Sequence, residues 1–374
     1  MNAYCLRGVS TPMHTELNHL IANITRDITE MDCSGDTKAK LAADIAHLIN
    51  QSIPKTERAY DEAQFSQLQQ AGIVSLDNLF LNNAQVKDIV NYFTPIPVYN
   101  GHVPAQSDGQ RRPLGKAARQ FAFGSYPFHE VILSPHLLEL AFHPAILGLV
   151  QRYLGCTPTI YSFNTWWSFP GHAAGVAQDY HRDIDDYKFL ALFIYLTDVE
   201  GGSKGGQHRF ITRTHDDQQL LHLLGNDHAL ANTFLLPHLK HNGYYRGKRY
   251  EKLFASQIQN ITGRAGAVFL ADTYAFHKGM PPIDHDRLVC WIRYGLRENL
   301  TYGNDKLHPV PTAWLSDRIP LNDTHKYMLR LLASDLADGT AAKSVKYGQP
   351  TIAFIRNLRT RARRLLSATQ AFIA

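Results

Sequence analysis

Apolar residues fall along this chain in two rhythms, and the change comes near its middle. Early on they recur at three- and four-residue spacing: Leu41, Ile45, Leu48 and Ile49 within 36–50, then Val86, Ile89, Val90 and Phe93 within 82–93. Such spacing lays an apolar stripe along one face and predicts amphipathic helices. Residues 65–72 read as a short helix stopped by Gly72, and 135–143 and 144–154 as two helices meeting at Pro144 and ended by Gly155. Proline is accepted in a first helical turn, and glycine suits the position after the last. Later the segments shorten and turn β-branched and aromatic. Thr159-Ile-Tyr-Ser-Phe-Asn-Thr-Trp-Trp-Ser-Phe169, Phe189-Leu-Ala-Leu-Phe-Ile-Tyr-Leu-Thr197 and Arg287-Leu-Val-Cys-Trp-Ile-Arg-Tyr294 predict strands, the second being the strongest core strand. Ile73-Val-Ser-Leu76 and Ala267-Val-Phe-Leu270 add two short ones. Helices first and strands afterwards predict a helical layer against an antiparallel sheet or barrel, not alternating βαβ units.

The intervals between these elements are marked by breakers. Pro95, Pro97, Gly101, Pro104, Gly109 and Pro113 make 94–114 a long loop or lid, which fits a substrate entrance or a passive surface crossing equally well. Gly201-Gly202 and Gly205-Gly206 form a flexible turn region, 216–260 reads as a helical and irregular insertion between strands, and 261–266 as a turn. A helix is expected over 325–335, a linker over 339–350, and a basic helix over 354–372 carrying Arg356, Arg359, Arg361, Arg363 and Arg364.

Composition narrows this picture only in places. The chain has 374 residues, 44% hydrophobic and 19% charged, with 18 Phe, 18 Tyr and four Trp, which favours a sheet-rich core with aromatic pockets. Cys5, Cys33, Cys156 and Cys290 are scattered with no paired spacing, which argues against a disulfide framework or thiolate zinc site and for a reducing cytoplasm. The N-terminus lacks the long apolar run of a signal peptide, and no apolar stretch is long enough to span a bilayer. The formal charge is +5, yet residues 341–374 hold seven Lys or Arg and no acid, so the rest of the chain sums to −2. The body therefore offers no nucleic-acid surface on charge grounds. The basic helix fits docking on the body, an anionic partner, or peripheral contact with anionic lipid.

The candidate chemistry lies in Gln178-Asp-Tyr-His-Arg-Asp183. On a strand, residues two apart face the same side, so His181 and Asp183 point together. The spacing alone is weak, and Asp179, Asp185 and Asp186 nearby suit a surface loop. It gains from the core strand, the glycine turn and the later strand that leads into His277. Two histidines and one carboxylate make the facial triad of non-haem Fe(II) oxygenases, with coordination positions left open. Ten residues beyond His277, Arg287 lies on a β-rich segment, and a guanidinium fork suits a carboxylate. Arg293 shares its strand face by parity and is the runner-up.

These blocks resemble the phytanoyl-CoA dioxygenase family of Fe(II)/2-oxoglutarate-dependent oxygenases over residues 62–297. The matching stretches are 65–80, Phe142-His-Pro-Ala-Ile-Leu-Gly-Leu-Val-Gln-Arg-Tyr-Leu-Gly155, the 178–183 motif, 198–215, Phe276-His277, Arg287 and Arg293-Tyr294. Gly205-Gly206 stands where the family usually has Gly-Pro, and Arg213-Thr214-His215 where it has Gly-Ser-His. The resemblance implies a double-stranded β-helix (jelly-roll, cupin-like) barrel flanked by helices, an α+β fold with a mainly β core. It also implies a dioxygenase domain over 59–300 with the insertion around 216–260, between a helical extension (1–58) and a C-terminal extension with the basic tail (301–374). His181, Asp183 and His277 would hold Fe(II), and Arg287 would grip the far carboxylate of 2-oxoglutarate. With O2 as cosubstrate, an unactivated C–H would be hydroxylated with release of succinate and CO2. Asp183 argues against the halogenating relatives, in which a small residue takes that place. Asn164, Thr197 and Arg293 are expected at the cosubstrate, and His172, Trp166 and Trp167 along the pocket.

The substrate is expected to be a small molecule, anionic or lipid-linked, and the sequence fixes neither it nor the oligomeric state. Two other classes stay open: a non-catalytic barrel used for ligand binding, and a zinc-type metal hydrolase on the same His and Asp residues.

Overall fold

The computed structural model describes residues 35–53, 60–76, 80–104, 107–172, 178–231, 248–296 and 309–336. These belong to one compact unit, Met1–Ala337; a second, Asp338–Ala374, lies outside them, and with it the expected linker and basic helix.

Local sequence sets the helices much as the spacing predicts. Helix Glu62–Ala71 begins where the Asp61 side chain accepts from Gln64 N at 2.8 Å and ends at Gly72 in the left-handed region. Helix Asn83–Phe93 starts in a reciprocal capping box between Asn82 and Gln85. Pro144–Leu154 carries its proline in the first turn and ends at left-handed Gly155. The helix expected over 325–335 is shorter, Asp323–Leu329, followed by turns.

Two antiparallel sheets follow. The larger runs β1 (Ile73–Leu76), β9 (Val268–Ala271), β6 (Phe189–Tyr195), β11 (Arg287–Gly295), β5 (Thr159–Ser168), β4 (Phe123–Ser125), β2 (Val98–Asn100) and β3 (Arg111–Arg112) in spatial order. The smaller is β10 (His277–Gly279), β7 (His208–Ile211) and β8 (Ile258–Ile261). Two of these regions differ from expectation. The supposed lid over 94–114 contributes the hairpin β2–β3 to the sheet edge, and the supposed insertion over 216–260 ends in β8, which pairs with β7.

Alternation along the central strands builds two cores. Leu288, Cys290, Ile292 and Tyr294 of β11, with Leu190, Leu192 and Ile194 of β6, pack under the helical layer, which supplies Ile45, Ile49, Ile89, Phe93, Leu147 and Val150. The opposite face of these strands and of β9, with Ala191, Phe193, Tyr195, Val289 and Phe269, meets Phe210 and Ile261 of the smaller sheet. The site lies between the two sheets.

The expected closed barrel is not formed. Neither sheet joins its own ends, and the two sheets meet through side chains. Among the described residues, single bridges stand where a ladder would have to continue: His181 with His277, Val199 with Gly263 and Gly205 with Pro282. Proline cannot extend a ladder, and Gly205 and its neighbour Gly206 sit at φ 69° and 78°, outside strand conformation. The fold is a mixed α+β arrangement of two open sheets resembling the core of a double-stranded β-helix.

Candidate metal centre

His181 and His277 are brought together by the backbone. Each donates its main-chain N–H to the other's carbonyl at 3.0 Å, an antiparallel bridge that sets both side chains on one face. Asp183 is placed two residues on, not by a strand but by its N–H donating to the Thr273 carbonyl at 2.9 Å. Asp183 Oδ1 then lies 3.8 Å from His181 Nε2, and Oδ2 lies 3.7 Å from His277 Nε2. Among the described residues, these three form the group able to share a metal ion, with ligand atoms all within 4.8 Å of one another.

The residues fit such an ion. His181 Nδ1 contacts the Asp179 carbonyl at 2.8 Å, and His277 Nδ1 the Ala275 carbonyl at 3.0 Å. A carbonyl only accepts, so each Nδ1 carries a proton, and Nε2 is the ring nitrogen that each histidine turns to the centre. Burial, followed by the neighbouring His277, holds the His181 pKa down at about 4, leaving the ring neutral at physiological pH. Burial alone would raise the Asp183 pKa. The Arg293 guanidinium and then the two histidines outweigh it and keep the carboxyl well below its usual range.

A cleft of about 480 Å3, counted out to its open mouth, adjoins the triad. Its wall is aromatic: Trp166 and Trp291 lie 4.8 Å apart at the ring centroids, and His102 packs on Trp166 at 4.5 Å. His208 stacks beside His277 at 5.3 Å. Burial drives the His208 pKa well below its ordinary value and that of His102 down to about 3.

Arg287 lines this cleft with the triad histidines. Its Nη1 donates to the Gly206 carbonyl at 2.5 Å and its Nη2 to Ser168 Oγ at 2.9 Å. The other expected residues scatter. Arg293 bonds Asp183 Oδ2 at 2.9 Å, and also Asp185. Asn164 Nδ2 donates to the His102 carbonyl, which ties the 101–104 loop over the cleft. Thr197 Oγ1 accepts from Leu288 N, and His172 Nε2 contacts the Ala118 carbonyl. Trp166 lines the cleft, whereas Trp167 belongs to the helix-side core and donates to Tyr126 Oη. Sequence reading missed His102, His208, Phe193, Tyr195 and Trp291. Strand parity with Arg287 would have found Trp291; the 101–104 loop carries no local signal for His102.

No protein-family model matches the chain, and no curated protein matches it significantly. Solved structures do show a likeness. HygX from Streptomyces hygroscopicus with nickel and 2-oxoglutarate bound is 13% identical, covering 63% of this chain and 87% of its own, with a TM-score of 0.42. AviO1 from Streptomyces viridochromogenes Tue57 is 13% identical over 63% of this chain and 94% of its own, at 0.38. SnoN, a non-haem α-ketoglutarate-dependent epimerase of nogalamycin biosynthesis, is 15% identical over 63% and 82%, at 0.39. At these scores the functional reading rests on the side chains of the site alone.

Proposed function

We propose that this chain is an Fe(II)- and 2-oxoglutarate-dependent oxygenase, close to the phytanoyl-CoA dioxygenase type, that oxidises a C–H bond of a small molecule. The observation that carries this reading is the triad. Two histidines turning Nε2 to one point and one carboxylate held well below its usual range converge from three separate backbone positions beside a cleft. A structural zinc site is closed by four ligands, whereas three ligands leave room for exchangeable ones. When bound, Fe(II) supplies the redox chemistry that couples oxidative decarboxylation of 2-oxoglutarate by O2, giving succinate and CO2, to oxidation of the substrate.

The chain's own part is binding, orientation and exclusion of water. His181, Asp183 and His277 hold the metal. Arg287, buried and fixed at its root by β11, presents the cation of the cleft to the distal carboxylate of 2-oxoglutarate. Burial lowers its pKa from the ordinary value, but a guanidinium stays charged in proteins. The aromatic wall favours a substrate with apolar faces and keeps bulk water from the reacting centre.

Anaerobic titration of the full chain with Fe(II) and 2-oxoglutarate tests the reading. A visible charge-transfer band that vanishes in Asp183→Ala and His277→Ala is expected. A band that is missing in the wild type or persists in the variants refutes it, and turnover without 2-oxoglutarate or O2 would point to a zinc-type hydrolase instead.

A further inference from the structure

Asp183 is not the only carboxylate buried beside the triad. Asp185 is 0% exposed and Asp186 3%, although their run of acids reads as surface loop. All three are tied to one end of β11. Arg293 donates to Asp183 Oδ2 at 2.9 Å through Nη2 and to Asp185 through Nη1. Leu296 N–H donates to Asp186 Oδ2 at 2.7 Å. Gly295 makes room for this approach: a Cβ there would stand 2.6 Å from Asp186 Oδ2 and 2.9 Å from Tyr161.

Arg293 is held by both of its terminal nitrogens and by its neighbours on the sheet. It sits near the C-terminal end of β11, paired with Ser162 on β5 and Ala191 on β6. Its guanidinium lies 3.8 Å from the centre of the Trp291 ring, and its side chain is 4% exposed. Tyr161 Oη donates to Asp185 Oδ2 at 3.0 Å, which anchors the far partner. One planar cation therefore spans two carboxylates and occupies one oxygen of Asp183, while Oδ1, 3.8 Å from His181 Nε2, stays free of it. A flexible ammonium makes no such fork.

We propose that Arg293 is a positioning residue for the metal centre: it holds Asp183 Oδ2 so that the carboxylate offers Oδ1 to the ion, and it keeps Asp185 out of the ligand set. This rests on the reading of the triad as a metal site. Two buried carboxylates without the guanidinium between them would repel each other, and one would turn toward the ion. Partners of metal-binding carboxylates orient them, and their loss typically costs 10–100-fold in metal affinity.

The test is Co(II) titration of the full chain, followed by its visible absorption, with folding checked by near-ultraviolet circular dichroism. Arg293→Met alone would leave two buried charges unpaired, so the comparison is Asp185→Asn against Asp185→Asn/Arg293→Met. The double variant is expected to bind Co(II) about 10–100-fold more weakly than the single one, with a shifted band. Asp185→Asn/Arg293→Lys should recover part of the loss. A folded double variant that binds Co(II) as tightly as Asp185→Asn overturns the proposal and leaves the metal reading standing. A wild-type chain that does not bind Co(II) sinks both. Should the methionine variant not fold, Arg293→Lys in the native background carries the same test: weaker binding and a shifted band are expected, and wild-type affinity overturns the proposal.

Discussion

His181 and His277 face each other across a single antiparallel bridge, exchanging both main-chain bonds at 3.0 Å with their rings 4.2 Å apart at the centroids. The bridge is made by backbone alone. The ligand set is therefore built before any ion arrives, and neither ring is needed to close it. Replacing either histidine by alanine should leave the sheet pairing intact while removing a ligand. We expect His277→Ala to retain cooperative unfolding and to lose metal affinity by about 100-fold or more, since two ligands cannot hold the ion as three do. Unfolding curves and metal titrations on the same preparations check this. A variant that keeps wild-type affinity would remove His277 from the centre.

Arg287 should act on 2-oxoglutarate and not on the metal. Charge-assisted hydrogen bonds contribute about 1.5–3 kcal/mol, or roughly 10- to 150-fold in affinity. Arg287→Lys keeps the charge and loses the fork that reaches Gly206 and Ser168. The expected result is a KM for 2-oxoglutarate raised by that range with Co(II) affinity unchanged. Equal losses of both would mean that Arg287 supports the site structurally.

Much of this site could be read from sequence because His277, Arg287 and Arg293 lie on strands, while His181 and Asp183, outside any named strand, are marked by their two-residue spacing. The two-residue step from His181 to Asp183 and the strand leading into His277 carried the triad, and parity along β11 put Arg287 and Arg293 on one face. What stayed hidden depended on distant pairing. The strand 258–261 is short and polar at Gln259 and Asn260, and it becomes a strand because β7 lies beside it. The β2–β3 hairpin was masked by its prolines and glycines. Asp185 and Asp186 looked solvated because a run of acids usually is, and their burial follows from Arg293 and Leu296, more than a hundred residues away. The barrel failed at Gly205 and Pro282, where local backbone geometry overrides the overall pattern.

Buried neutral histidines make the apoprotein sensitive to acid. Burial holds His102 at about 3 and His181 at about 4, with His208 also well below its ordinary value. In the unfolded chain each titrates near 6.5. Between about 4 and 6.5 the unfolded state therefore binds more protons, so stability rises with pH through that window and falls as the solution is acidified. Each such histidine contributes at most about 1.4 kcal/mol per pH unit. Urea unfolding at pH 7, 6 and 5 should show this slope, and His102→Phe, which suits the ring cluster of Phe123, Trp166 and Trp291, should reduce it by about one proton's worth. Identical slopes for variant and wild type would show that His102 is not held neutral.

The glycine turn over Arg287 should tolerate change unevenly. Gly205 sits at φ 69° and ψ −156°, a region essentially confined to glycine, and a Cβ there would come within 2.2 Å of the Pro281 carbonyl oxygen. That carbonyl also accepts from Gly206 N at 3.1 Å, and the Gly206 carbonyl in turn holds Arg287. Gly202, at φ 59°, has nothing within 4 Å of its would-be Cβ. Gly202→Ala should therefore cost about 1–2 kcal/mol from backbone strain alone. Gly205→Ala adds a backbone clash to its strain of about 1–3 kcal/mol. To relieve the clash, the turn must move away from Pro281 and take the Gly206 carbonyl off the guanidinium. Chemical denaturation should rank Gly205→Ala as the more destabilised, and only that variant should also need more 2-oxoglutarate for half-maximal succinate formation. If both variants unfold alike and saturate alike, the turn does not hold Arg287 in place.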